Sequence, residues 1–233
     1  MTPNLLFLPG LLEDADGFKP VIDGLSSRVT CSVADLTRSD TIAGMARDAL
    51  AQAPERFSLA GHSMGGYVAL EVMRQAPERV ERLALMQTNA RPDTAESTGN
   101  RRRLLALAER DFPAVIAALM QRLLTPEHLG EAGMTGTIES MALAVGKEAF
   151  RRQQEAIIAR IDSRPHLEGI RCPTLVLAGR QDQIMPVEML KELADGIPGA
   201  RLTVIEDCGH MAAIEQPARV LAAFVEWLDR RTT

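Results

Sequence analysis

The sequence contains few aromatic, cysteine and histidine residues. Its 233 residues include one tryptophan, one tyrosine and six phenylalanines, together with three cysteines and four histidines. Cys31, Cys172 and Cys208 are odd in number, widely spaced and in no metal-binding pattern, which argues against both a disulfide framework and a metal site. We therefore expect a protein of a reducing compartment, with the cytoplasm as its location.

An excess of positive charge and long apolar runs are also absent. The formal net charge is −5, so we expect no basic surface for nucleic acid. The densest basic run, Arg101–Arg103, is predicted to be a solvated helix face. The N-terminus shows only the short apolar run Leu5–Leu8, and no stretch is long enough for a membrane span. The length suits one compact domain, which we expect to act as a monomer or homodimer without a membrane.

Short apolar runs alternate along the chain with segments of helical periodicity. Nearly continuous apolar runs are typical of parallel strands that are covered on both faces. The pattern predicts an α/β fold, an open and mostly parallel sheet with helices on both faces. The predicted strands are Leu5–Leu8, Val29–Val33, Phe57–Ala60, Leu83–Met86, Thr174–Ala178 and Leu202–Ile205.

The strand pattern stops between residues 90 and 165. One helical stripe and a second helix over Ala149–Arg160 are predicted there, and several glycines are expected to interrupt the segment. We predict an all-helical insertion over residues 90–165 in a core made of residues 1–89 and 166–233. The stripe is formed by Val115, Ile116, Leu119, Met120 and Leu123, and the glycines are Gly130, Gly133, Gly136 and Gly146.

A Gly-x-Ser-x-Gly pentad, residues 61–65, lies between the third predicted strand and a helical segment. A serine exposed above a sheet needs a very tight strand-to-helix turn, and small residues two positions away on either side relieve the crowding. In a chain of this composition the pentad is expected by chance about 0.05 times. We predict that Ser63 is a nucleophile; a turn without chemistry is the weaker interpretation. His62 is expected to point away from Ser63 and to help hold the turn.

A serine nucleophile requires a nearby base. His210 follows the last predicted strand, and the loops at the carboxyl ends of parallel strands converge on one site. We therefore predict that His210 is the base. His128 and His166 are predicted to be surface or packing residues.

The acid that orients the base should come from another loop of this kind. Asp182 follows the strand predicted at residues 174–178, and the order Ser63, Asp182, His210 is that of a known triad arrangement. After the strand at residues 83–86 no acid occurs until Asp93, and Asp207 is expected to be a turn residue. Asp182 is the preferred acid, and its alternative role is that of a helix-terminal carboxylate.

Acyl transfer places negative charge on a carbonyl oxygen, which two backbone N–H groups can stabilise. One predicted donor is the N–H of Met64, the residue after the nucleophile. The other is the N–H of Leu11, with Leu12 as second choice, in the loop after the first strand where Gly10 lets the backbone turn. An ordinary strand-end turn is the alternative interpretation of that loop.

These motifs together resemble the α/β-hydrolase superfamily, in particular its small single-domain branch of esterases and lactonases. The resemblance spans nearly the whole chain and implies a parallel sheet, a helical cap inserted before the acid-bearing strand, and an active site without metal or cofactor. One departure is Pro9-Gly10, where the family often has His-Gly. The motifs are residues 8–12, 61–66, 179–182 and 209–210, followed by Glu215-Gln216-Pro217.

The expected activity is hydrolysis of a small carboxylic ester or lactone through an acyl-enzyme on Ser63, and the expected partner is a small apolar ester, lactone or thioester. Leu12, Leu119 and Met120 are candidate pocket residues. Alternatives with the same triad are a C–C or thioester hydrolase and a cofactor-free lyase. A lyase would need cations for an anionic substrate, and Arg91 and Arg101–Arg103 are the candidates. A ligand-binding member without catalysis is the least favoured alternative because the triad is intact.

Overall fold

The computed structural model describes residues 2–230 and contains one six-stranded sheet. The strand order is β2-β1-β3-β4-β5-β6, and every neighbouring pair is parallel. The predicted fold class is confirmed. The strands are β1 Asn4–Leu8, β2 Thr30–Val33, β3 Phe57–His62, β4 Val80–Met86, β5 Thr174–Gly179 and β6 Arg201–Ile205.

All six predicted strands are present, but β4 begins three residues earlier than predicted. The three additional residues are Val80, Glu81 and Arg82, of which only Val80 is buried. Charged residues at the end of the strand, where the sheet meets solvent, interrupt the apolar pattern on which the prediction relied.

Alternating strand residues point to opposite faces of the sheet, and each face carries its own helices. Leu6 and Leu8 pack in one cluster with residues of α2, α3 and α7, whereas Leu5 and Phe7 pack in another with residues of α1 and α9. The helices are α1 Lys19–Leu25, α2 Ile42–Gln52, α3 Met64–Gln75, α4 Ala95–Ala108, α5 Phe112–Leu123, α6 Ala132–Ile158, α7 Val187–Gly196, α8 Ala212–Glu215 and α9 Pro217–Asp229. Within residues 2–230, no helix has both the length and the apolar composition needed to cross a membrane.

The segment between β4 and β5 is helical and consists of α4, α5 and α6. The expectation that all four glycines interrupt it was wrong, because Gly133 and Gly136 lie inside α6. Only Gly146 breaks this helix, with φ of 79°. Helical glycine costs about 1 kcal/mol relative to alanine, a cost that burial of apolar residues on the same helix can offset.

The two ends of the helical segment are hydrogen-bonded to each other. The N–H of Ser163 donates to the carbonyl of Ala90 at 2.8 Å. Nearby, Arg101 pairs with Asp93, and its side chain is only 20% exposed. The prediction of a fully solvated basic face was therefore wrong for Arg101, which is drawn inward by this carboxylate.

Candidate active site

The turn from β3 to α3 presents Ser63 at the carboxyl edge of the sheet. Ser63 has φ of 51° and ψ of −114°, a conformation that non-glycine residues rarely adopt. Its N–H donates to the carbonyl of Met86 at 2.9 Å, and its own carbonyl accepts the hydroxyl of Thr88 at 2.8 Å. The carbonyl of Met86, at the end of β4, therefore fixes the N–H of the serine, and the side chain of Thr88, just after β4, fixes its carbonyl.

Two glycines make this turn possible because backbone atoms occupy the space that side chains would need. A Cβ on Gly61 would collide with the carbonyl oxygen of Gly65, and a Cβ on Gly65 would collide with the carbonyl oxygen of Leu8. The small residues expected on either side of the serine are thus required by close packing against the turn itself and against β1.

The structure brings Ser63, His210 and Asp182 together in a line of hydrogen bonds. The distance from Ser63 Oγ to His210 Nε2 is 2.9 Å, and that from His210 Nδ1 to Asp182 Oδ2 is 2.8 Å. His210 and Asp182 are buried, while Ser63 is half-buried. The serine hydroxyl is therefore the member of this group that a small molecule can reach.

The Asp182 carboxylate is held in its charged form. Burial alone would raise its pKa, but the neighbouring His210 and hydrogen bonds from the ring and from two backbone N–H groups outweigh it, so the pKa lies below the usual value. The backbone donors are Ile184 at 2.8 Å and Met185 at 3.0 Å, both to Oδ1. The backbone of Ile184 and Met185 thus fixes Oδ1, and Oδ2 binds the histidine.

The alternative acids lie in other surroundings. Asp93 is buried in a cluster with Arg101 and Arg160, whose guanidinium groups bind its carboxylate at 3.3 and 2.8 Å. Asp207 is an exposed turn residue with φ of 55°. Neither carboxylate is bonded to His210 in the described part of the chain.

The loop after β1 contains the predicted oxyanion donors. The N–H of Leu12 donates to Gln153 Oε1 at 3.1 Å, and the N–H of Gly10 donates to Glu13 Oε2 at 2.5 Å. Within residues 2–230, the N–H groups of Leu11 and Met64 have no acceptor in the protein. These two amides are therefore the ones available for an anionic oxygen.

Glu13 is a buried site residue that the sequence interpretation missed. Its Oε2 lies 2.7 Å from His62 Nδ1, while His62 Nε2 lies 2.9 Å from the carbonyl oxygen of His210. Burial alone lowers the pKa of His62, but the charge of Glu13 and the hydrogen bonds to both acceptors raise it above its usual value. A carboxylate three residues after Gly10, directly after the apolar pair Leu11-Leu12, was the available signal.

Glu215 organises the loop that carries His210. Its Oε1 accepts the N–H groups of Gly209 at 2.9 Å and Met211 at 3.1 Å, the two neighbours of the histidine. Its Oε2 accepts the N–H of Thr125 at 3.0 Å and binds His128 Nδ1 at 2.8 Å. This carboxylate therefore ties the histidine loop to the segment that follows α5.

The other residues that invited a functional interpretation play packing or surface roles. His166 is exposed, and Cys208 is fully buried, where burial raises the pKa of its thiol. A thiolate is therefore disfavoured beside His210.

The candidate pocket residues fall into two apolar clusters. Leu12 and Leu119 belong to one cluster with Leu11 and residues of α4 and α6. Met120 belongs to the other, together with Met211, the residue after His210. The first cluster thus includes the loop after β1, and the second includes the histidine loop.

Comparison with known proteins agrees with this geometry. The family model described as the alpha/beta hydrolase fold matches residues 40–217. A thermophilic esterase from Thermogutta terrifontis is 31% identical with a TM-score of 0.89, covering 100% of this chain and 91% of that one. An enol-lactonase from Burkholderia xenovorans is 25% identical with a TM-score of 0.90, covering 99% and 92%. The pimeloyl-[acyl-carrier protein] methyl ester esterase of Nitrosomonas europaea is 26% identical over 95% of this chain and 94% of its own length. This chain belongs to the α/β-hydrolase family.

Proposed function

We propose that the protein is a serine hydrolase that cleaves a small carboxylic ester or lactone through an acyl-enzyme on Ser63. The observation that carries the proposal is the line of hydrogen bonds from Asp182 through His210 to the hydroxyl of Ser63. A base at 2.9 Å from the hydroxyl lies within the range for direct proton transfer. The charged Asp182 keeps the proton of the ring on Nδ1, so that Nε2 presents its lone pair to the serine.

In the first step, Ser63 Oγ bonds to the carbonyl carbon while His210 Nε2 takes its proton. The carbonyl oxygen becomes an anion, which the N–H groups of Leu11 and Met64 are placed to stabilise. Removal of one such donor typically costs about 2.7–4 kcal/mol of transition-state stabilisation. Collapse of the intermediate expels the alcohol, which leaves with the proton from His210. Water then attacks the acyl-enzyme while His210 takes a proton from it. Collapse of this second intermediate breaks the bond between Ser63 Oγ and the acyl carbon, releases the carboxylic acid, and returns the proton from His210 to Ser63 Oγ.

We further propose that residues 90–165 form a cap over the site, within a core of residues 1–89 and 166–233. The carbonyl of Leu123, at the end of α5, accepts the N–H of His210 at 2.9 Å. Gln153, on α6, accepts the N–H of Leu12. The insertion thus contacts the loops that carry the base and the proposed oxyanion donor.

An apolar acyl group or ring suits this arrangement. Leu12 and Leu119 would line one wall near the oxyanion loop, and Met120 would line another near His210. The names of the relatives, a methyl ester esterase and an enol-lactonase, favour an ester or lactone over other acyl compounds. We propose no metal, cofactor, nucleic acid or membrane for this reaction, and a monomer or homodimer. The three free cysteines fit a cytoplasmic enzyme.

Of the four arginines that the lyase alternative would require, Arg102 and Arg103 are exposed on α4, while the other two are bound to carboxylates. Arg91 is paired with Glu192 at 2.8 Å, and Arg101 is paired with Asp93. Both guanidinium groups are therefore engaged by carboxylates rather than offered to an anionic substrate.

The test is Ser63→Ala, assayed with p-nitrophenyl acetate and butyrate. We expect at least a thousandfold loss of kcat, because the remaining groups can stabilise the transition state but cannot form the acyl-enzyme. The exposed Ser140→Ala on α6 is the matched control and should retain full activity. A fluorophosphonate probe should label the wild type at Ser63 and leave Ser63→Ala unlabelled. Turnover by Ser63→Ala at the wild-type rate would refute the proposal.

A second assay separates oxygen esters and lactones from thioesters. The wild type would be compared on p-nitrophenyl esters, homoserine lactones, an enol-lactone and acyl-thioesters, each with Ser63→Ala as the background. We expect the highest kcat/KM on an oxygen ester or lactone. A preference for thioesters would replace the proposed substrate class while leaving the acyl-enzyme intact.

A further inference from the structure

A buried pair of opposite charges lies directly behind the candidate triad. Glu13 and His62 are joined at 2.7 Å, with side chains 4% and 5% exposed. The edge of Phe18 closes the pair from one side, with its ring centroid 6.3 Å from that of His62. None of these three residues contacts Ser63 Oγ through a hydrogen bond in the described structure, so the mechanism above leaves them unused.

The hydrogen bonds define the charge state of His62. Its Nε2 faces the carbonyl oxygen of His210, which can only accept, so Nε2 carries a proton. Its Nδ1 faces Glu13 Oε2, an oxygen that also accepts the N–H of Gly10. The charge of Glu13 raises the pKa of His62 above its usual value, so we assign a proton to each ring nitrogen and describe His62 as an imidazolium paired with a carboxylate.

The pair connects two parts of the site that are far apart in sequence. Through Gly10 it fixes the loop that presents the N–H of Leu11, and through its carbonyl contact it fixes the backbone of His210. The packing is close, because a Cβ on Gly10 would lie 3.2 Å from His62 Nδ1 and 3.3 Å from the Cβ of Ser63. The rings of His62 and His210 are 5.1 Å apart.

We propose that Glu13 and His62, as a charged pair, are positioning residues for hydrolysis that hold the oxyanion loop and the base in register. The proposal rests on the proposed function. The ionisable groups that face His62 are Glu13 from the loop after β1, Asp182 from the loop after β5 and His210 from the loop after β6. Of these only Glu13 bonds directly to a ring nitrogen of His62, so it governs the charge of that ring.

A buried ion pair is weak evidence for a role in stability, because apolar residues of similar size often serve as well. The chain offers a comparison in Glu71, which is buried on α3 and paired with Arg74 at 2.6 Å. That pair lies within one helix and has no contact with the loops of the site. It therefore serves as a matched control for loss of a buried carboxylate.

The kinetic test is Glu13→Gln. The amide oxygen can still accept the N–H of Gly10, but His62 loses the charge that keeps it protonated. A neutral His62 has one ring proton for two acceptors, so it cannot donate both to the amide oxygen and to the carbonyl of His210. We expect kcat on p-nitrophenyl butyrate to fall by about ten- to hundredfold with KM changed less than about threefold, because the loss is of transition-state alignment.

Two comparisons make the result specific. Glu71→Gln should keep the kcat and the KM of the wild type, even where its unfolding midpoint falls. Glu13→Gln combined with His62→Gln should cost little more in kcat than Glu13→Gln alone, because both changes remove the same connection. A wild-type kcat in Glu13→Gln, in a wild type that hydrolyses the ester, would overturn the inference.

A measurement without turnover covers the case in which Glu13→Gln does not fold. Nitrogen-15 NMR of the histidine side chains in the folded Ser63→Ala protein should show that His62 loses its second ring proton at a higher pH than it does in the urea-unfolded protein. A His62 that titrates at the same pH in both states, or at a lower pH in the folded protein, would overturn the inference. The result does not depend on whether Ser63 is a nucleophile, so it is separable from failure of the proposed function.

Discussion

Ser63 occupies a backbone conformation that costs about 1–3 kcal/mol in a residue with a side chain. Such strain persists only where the surroundings fix the conformation, and here three hydrogen bonds do so. The serine N–H binds the carbonyl of Met86, while its own carbonyl accepts from Thr88 and from the N–H of Gly66. The hydroxyl is therefore aimed by the backbone rather than by a choice of rotamer alone.

Asp182→Asn tests whether the acid acts by selecting a tautomer. An asparagine can accept from Nδ1 only through its carbonyl, and when its amide donates instead, Nδ1 loses its proton and Nε2 gains one. The ring then cannot take the proton of Ser63. We expect kcat on p-nitrophenyl butyrate to fall by about three to four orders of magnitude with little change in KM. Asp93→Asn, a second buried carboxylate away from His210, should keep kcat within about threefold of the wild type.

The lowered pKa of Asp182 also predicts a dependence of stability on pH. A carboxyl whose folded pKa lies below its reference value of 3.8 stabilises the fold above that value. This contribution is lost as the pH falls through the lower, folded pKa. The free energy of unfolding in urea should therefore decline more steeply below about pH 4 in the wild type than in Asp182→Asn. Parallel curves for the two proteins would contradict a lowered pKa.

At the scale of helices and strands, the sequence pattern predicted most accurately the strands that are buried on both faces of the sheet. The strands at the centre of a covered sheet are apolar throughout, so β3 and β5 were predictable to within two residues. A local sequence pattern does not predict which residues distant in sequence contact each other. The contacts of Glu13 with His62 and of Glu215 with His128 join residues 49 and 87 positions apart. These contacts could be identified only from the three-dimensional structure, in which the loops lie next to each other.

Helix α6 tests how glycine acts in two different backbone states. Gly136 is helical and Gly146 has φ of 79°, and a Cβ at either position would meet no atom within 4 Å. Gly136→Ala should raise the free energy of unfolding by about 0.5–1 kcal/mol, because alanine is the better helix former. Gly146→Ala should lower it by about 1 kcal/mol or more, because alanine is strained at positive φ.

The two variants are each other's control, since they add the same methyl group to the same helix in open space. Urea unfolding followed by circular dichroism gives both values under one set of conditions. Stabilisation by Gly146→Ala would mean that α6 runs straight through this position in solution.

At the scale of the whole molecule, the site is assembled by topology. Residues 63, 182 and 210 each follow a parallel strand, and the carboxyl ends of β3, β5 and β6 lie at one edge of the sheet. This is why a strand pattern and three motifs sufficed to select the three side chains. The walls were less predictable, because Leu119 and Met120 are neighbours on one helical stripe and yet pack in different clusters.

The proposed cap would make the acyl specificity depend on residues far from the proposed triad in sequence. Leu119, on α5, is partly buried against the cluster that contains Leu11 and Leu12. Leu119→Ala removes three carbon atoms from this wall, so the acyl length with the highest kcat/KM should rise by about two to three carbons. The kcat/KM of the longer ester relative to that of the ester preferred by the wild type should rise about tenfold. A series of p-nitrophenyl esters from acetate to dodecanoate measures this shift.

Leu143→Ala is the matched control, because Leu143 lies in the same insertion and is 54% exposed. It makes the same truncation on the outer surface, so its chain-length profile should coincide with that of the wild type. If both variants shift alike, the insertion acts through its overall stability, and Leu119 is not a wall of the pocket. If only Leu119→Ala shifts, the cap and the oxyanion loop share one acyl pocket. In that case Leu119, and not the triad, sets which ester this hydrolase prefers.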